Sequence, residues 1–108
     1  MIGLEFILFG ILKAALAGAA CGAVISLVCL HWEQILDWFR GRAALKQSDL
    51  NNVGFSLQER LASGDYQTVY GIFNTDTGAV LDAETVSSRD VDAHLAREHR
   101  KSPLLVYR

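Results

Sequence analysis

The sequence predicts a small α+β protein carried on one N-terminal transmembrane helix. Three features point there: an apolar run from Phe6 to Leu30 interrupted by one charge, Lys13; an amphipathic stretch behind it with two tryptophans; and, further on, two alternating apolar/polar runs joined by turn residues. The expected plan is a transmembrane helix over residues 1–31 and an amphipathic juxtamembrane helix with linker over 32–50. A small α-β-β-α-β domain with a three-stranded, mainly antiparallel sheet follows over 51–108.

The span comes first. As a helix, Phe6–Leu30 would be roughly 37 Å long at ~1.5 Å per residue, against a hydrocarbon core of about 30 Å. A cleaved secretory signal would open with positive charge, whereas here Glu5 precedes the run and Lys13 lies inside it, so retention is expected. Gly10, Ala14, Gly18, Gly22 and Ser26 recur every fourth residue, with Gly18 and Gly22 forming a Gly-x-x-x-Gly pair. Residues four apart share a helix face, and such a groove of small residues lets another helix approach closely in lipid. Lys13 lies about a third of the way along, where its stem lets the ammonium reach the interface. Cys21 and Cys29, about 12 Å apart along a helix, are too distant to bridge each other.

Trp32, Ile35, Leu36, Phe39 and Ala43 then follow 3–4 spacing, with Glu33, Gln34, Asp37 and Arg40 on the other side. Trp32 and Trp38 stand where an aromatic belt is expected, and Arg40, Arg42 and Lys46 place the C-terminal part in the cytoplasm by the positive-inside rule. The first 47 residues carry four basic and three acidic side chains and the remainder six and nine, within a net charge of −2, so nucleic acid is not an expected partner.

In the C-terminal part, Ser56-Leu57-Gln58-Glu59 has the form of a capping box, Leu57 and Leu61 share a face, and Gly64 supplies a stop, predicting a helix over about 55–63. Tyr66, Thr68, Tyr70 and Ile72 alternate with Val69, Gly71 and Phe73, the clearest strand in the chain. Asn74-Thr75-Asp76-Thr77-Gly78 turns it into a second strand from Ala79 to about Val86. Ser87 or Ser88 would cap a last helix, with Asp90 and Asp92 at its positive end; Pro103 ends it, and Leu104–Tyr107 is a final strand joining the hairpin.

Asp76-Thr77-Gly78-Ala79 also resembles, over four residues, the Asp-Thr-Gly signature of retroviral-type aspartic proteases, which implies an Asp76 that activates water. Otherwise the residues offer no constellation for chemistry. His94 and His99 are five apart, about 140° around a helix, and His31 has no second ligand nearby, so neither metal nor cofactor is expected. The expected function is that of a noncatalytic single-pass membrane subunit or anchor. Its span would associate with other transmembrane helices, its own copies or those of a larger complex, while the soluble domain binds a partner; membrane lipid is the other partner, and no small-molecule substrate is evident. A pore-forming or holin-like homo-oligomer is the alternative, and a membrane-anchored enzyme accessory a remoter one.

Overall fold

The computed structural model describes residues 24–107. Five strands form one mixed sheet: β1 (Ile25–Leu30), β2 (Asn52–Arg60), β3 (Tyr66–Asn74), β4 (Val80–Val91) and β5 (Leu104–Tyr107), in the spatial order β1-β4-β3-β2-β5. β2, β3 and β4 are an antiparallel meander; β5 adds antiparallel to β2 at one edge, and β1 adds parallel to β4 at the other. Three helices connect the strands: α1 (Trp32–Arg40), α2 (Ala43–Gln47) and α3 (Ala93–Glu98).

The hairpin of β3 and β4 matches the alternation in the sequence. Tyr70 and Ile72 point to the helices, packing with Leu30, Ile35, Trp38, Val86, Val91 and Leu95. Val69 and Phe73 point to the opposite face with Val53, Phe55, Leu57 and Leu104. The turn between the strands closes as its residues require: Asn74 Oδ1 accepts from the backbone N–H groups of Asp76 and Thr77, and Gly78 takes a positive φ of 73°. Asp76 is exposed at its tip, a turn residue in place.

Other expectations are corrected. Ile25–Leu30 is a strand hydrogen-bonded to Val86–Val91 rather than the end of a helix, and no helix among the described residues is long and apolar enough to cross a membrane. The segment from Asn52 to Arg60 is a strand rather than a helix, because Val53, Phe55 and Leu57 alternate at period two into an apolar face. The sheet therefore has five strands instead of three. β4 continues through Ser87 and Ser88 because β1 pairs along it, and the cap of α3 moves to Asp92, whose carboxylate accepts from Leu95 N–H at 2.8 Å.

All three described helices contribute to the core on one face of the sheet, while the core residues described on the other face all come from strands. On that second face Phe55 and Phe73 are each 1 % exposed. At about 1.5–3 kcal/mol for burying each large apolar side chain, its six core members are worth on the order of 10 kcal/mol, comparable to the whole stability of a typical domain.

Candidate functional site

β5 is an edge strand: β2 pairs with one side of it, and no described strand lies on the other. An exposed edge presents unpaired N–H and C=O groups to any extended chain. What distinguishes this edge is that a concavity opens at each of its ends, both on the helix-bearing side of the sheet.

The first, about 340 Å³, lies at the C-terminal end, lined by Leu36, Phe39 and Arg40 of α1, Ala43, Lys46 and Gln47 on α2, and Tyr107 of β5. α1 sits close enough to form it because Gly54 in β2 has no side chain: a Cβ there would meet the Phe39 ring at 3.0 Å and Tyr107 Cβ at 3.3 Å. Phe39 and Tyr107 meet edge to face at 5.5 Å and make the apolar floor. The second, about 320 Å³, lies at the N-terminal end, where Ser102 and Pro103 lead into β5. Gln58, Arg60, Tyr66, His99, Arg100 and Lys101 complete its wall. β5 spans four residues, so the two are separated by about 13 Å of extended chain.

A buried polar relay joins them. Ser56, fully buried on β2, lies 2.8 Å from His99 Nε2 and 2.7 Å from the Tyr107 hydroxyl. His99 Nδ1 is 3.1 Å from the Ser102 carbonyl, which can only accept, so Nδ1 carries the proton and Nε2 accepts from Ser56. Tyr107 O–H then donates to Ser56. Burial pushes His99 below the ordinary histidine value, against the pull of the Ser102 carbonyl. It also pushes the Tyr107 phenol up to about 12, although the Ser56 hydrogen bond pulls the other way. A serine hydroxyl on a neutral histidine has the form of an activated nucleophile, but Ser56 has no surface exposed to meet a substrate. The relay is a clip that ties β5 and the turn before it onto β2.

Electrostatics set the two concavities apart. Together their walls hold Arg40, Lys46, Arg60, Arg100 and Lys101, five of the ten basic residues in a chain of net charge −2, and no carboxylate. Arg40 is shared with Glu33 and Asp37 on the exposed side of α1. Arg60 lies 5.1 Å from the Tyr66 ring.

The residues singled out by sequence are dispersed. Ser26 lies on exposed β1 opposite Ser87, and Gly10, Ala14, Gly18, Gly22 and Lys13 lie outside the described residues. Trp38 is buried against the sheet, edge-on to Tyr70 at 5.5 Å, with the Arg42 guanidinium 3.9 Å above its ring and bonded to Asp82 at 2.7 Å. Trp32 stacks on His94 at 4.7 Å. Arg40 reaches the candidate site, together with Leu36, Phe39, Ala43 and Lys46 of the same amphipathic stretch. The contact of Ser56 with His99 and Tyr107 escaped sequence reasoning, which read Ser56 as a helix cap and weighed His99 only against His94, because the partners lie 43 and 51 positions from Ser56 along the chain. No group of three or more metal-ligating side chains occurs among the described residues.

No protein-family model, no curated protein and no solved structure matches this chain, so the site is read from its own chemistry.

Proposed function

We propose that this protein is a noncatalytic binding module that receives an extended, acidic segment of a partner protein along the edge of β5 that no described strand covers. The observation that carries the reading is the concentration of Lys46, Arg60, Arg100 and Lys101, beside an Arg40 that α1 carboxylates share, at the two ends of a strand whose outer edge no described strand covers, in a chain that is acidic overall. Main-chain hydrogen bonds to β5 would supply affinity, as in other strand additions. The Leu36, Phe39 and Tyr107 floor would take an apolar side chain, and carboxylates would meet Lys46 at one end and Arg100 and Lys101 at the other. Ser56 supports the noncatalytic part, since its sealed position leaves the one nucleophile–base pair described above without access.

A labelled peptide alternating glutamate and valine tests this by fluorescence anisotropy on the full chain. The expected result is saturable binding that weakens about tenfold or more in Lys46→Glu, Arg100→Glu, Lys101→Glu protein and falls with salt. Binding indifferent to the three reversals, or absent, contradicts it.

A further inference from the structure

The concavity at the start of β5 holds more positive charge than a carboxylate would use. Arg60, Arg100 and Lys101 line it, and no described carboxylate lies within ion-pair distance of any of them. Glu98, just before His99, pairs with His94 at 3.4 Å instead. Glu59 is adjacent to Arg60 but alternates to the other side of β2. The concavity at the far end differs, because its Arg40 is shared with Glu33 and Asp37, which leaves Lys46. One ammonium suits a carboxylate; three cations suit a dianion.

The frame that carries these cations is fixed. Arg60 pairs with Tyr66 across β2 and β3, its guanidinium 5.1 Å from that ring. Arg100 and Lys101 stand in the turn between α3 and β5, whose backbone is tied at successive points. The Ser102 carbonyl accepts from His99 Nδ1 at 3.1 Å, the Ser102 hydroxyl accepts from Leu104 N–H at 3.2 Å, and the Pro103 carbonyl accepts from Gln58 N–H at 2.8 Å. The relay through Ser56 therefore also steadies two of the three cations. Guanidinium forks match phosphoryl oxygens bidentately, and a phosphomonoester brings a charge of about −1.5 to −2 and three acceptor oxygens.

Strand geometry sets where that group must stand. The two concavities lie on the same side of the sheet, about 13 Å or four extended residues apart. Side chains of an added strand reach one side at even separations. An apolar side chain on the Phe39 and Tyr107 floor thus puts the position four residues away over Arg60, Arg100 and Lys101.

We infer that the segment received at β5 carries a phosphorylated side chain four residues from its apolar anchor, held by Arg60, Arg100 and Lys101. This rests on the strand-addition reading and narrows its partner to a phosphoprotein. The test uses the full-length chain and labelled peptides of alternating glutamate and valine whose central valine is replaced by phosphoserine, glutamate or serine. Valines stay four positions away on both sides, so that either strand direction is served. Fluorescence anisotropy is expected to show the phosphoserine peptide binding about tenfold tighter, or more, than the other two. Arg60→Gln, Arg100→Gln protein, altered only at exposed side chains, is expected to lose that preference. Equal binding of the phosphoserine and glutamate peptides overturns the phosphate site and leaves strand addition standing, whereas failure of all three to bind removes both. A preference that survives in the double variant puts the phosphate elsewhere and overturns the inference. Inorganic phosphate displacing the peptide at equal concentration also overturns it, since the site would then serve the free anion.

Discussion

Ser56 illustrates how one hydroxyl can fix both the architecture and the pH response. It bridges His99 and Tyr107, and through them holds β5 on β2. Ser56→Ala removes both links and leaves a buried histidine nitrogen and a phenol unpaired, so the expected loss is about 1–3 kcal/mol in urea unfolding. The direction of the pH dependence follows from His99. Its folded value lies below the ordinary 6.5, so the unfolded chain binds the proton more readily, and stability falls as pH drops through 6.5 toward the folded value. Tyr107 acts at the other limit: raised from 10 to about 12, it contributes stability below pH 10 that is lost between about pH 10 and 12. Melting temperature followed from pH 7.5 to 5 should decline, and His99→Gln should flatten that decline. Asp92 is a second residue with two tasks, accepting from Leu95 N–H at 2.8 Å and Trp32 N–H at 3.0 Å and so joining the starts of α3 and α1. Burial works to raise its pKa, but those amides, with His31 and His94, hold it below the usual carboxylate value.

Among the elements, two glycines divide the labour on opposite faces. A Cβ at Gly71 would lie 2.3 Å from the Asp82 carbonyl oxygen, which is backbone and cannot step aside, whereas one at Gly54 would meet the movable Phe39 ring at 3.0 Å. Gly71→Ala is therefore expected to destabilise by about 2–3 kcal/mol and Gly54→Ala by about 1 kcal/mol, measured by chemical denaturation. Gly54→Ala, though milder, shifts the floor of the α1–β5 concavity and should weaken acidic-peptide binding; Gly71→Ala acts on stability alone. The same scale shows what the sequence could tell. β3 and β4 were legible because β-branched and aromatic residues alternate over a long run bounded by Asn, Asp and Gly. β5 was legible from Pro103 and the apolar residues after it. β2 was misread because the local form of a capping box at Ser56 outweighed the period-two pattern around it; the Ser56 hydroxyl in fact meets His99 rather than a helix amide. β1 was hidden inside an apolar run, where a buried strand and a helix look alike until the partner strand is known. The candidate site was legible only in the amphipathic stretch that supplies Leu36, Phe39, Arg40, Ala43 and Lys46, because the rest is assembled from β2, β3, β5 and the turn after α3.

At the scale of the molecule, the fold gives the sheet two differently used faces and two differently used edges. One face carries the described helices, and the described core of the other comes from strand residues. The β1 edge exposes Val28, 76 % accessible, beside a parallel partner. The β5 edge is framed by basic side chains. That asymmetry is the basis for assigning recognition to β5, and it makes a spatial prediction that affinity alone does not. The most direct measurement is amide NMR of the full-length protein with and without the glutamate–valine peptide, combined with hydrogen exchange. Strand addition predicts that shift changes concentrate on Leu104–Tyr107, Arg100, Lys101 and the Leu36–Lys46 segment, and that outward-facing amides of β5 gain protection on binding. Changes confined to β1 or the β3–β4 turn, or binding without new protection on β5, would contradict the assignment.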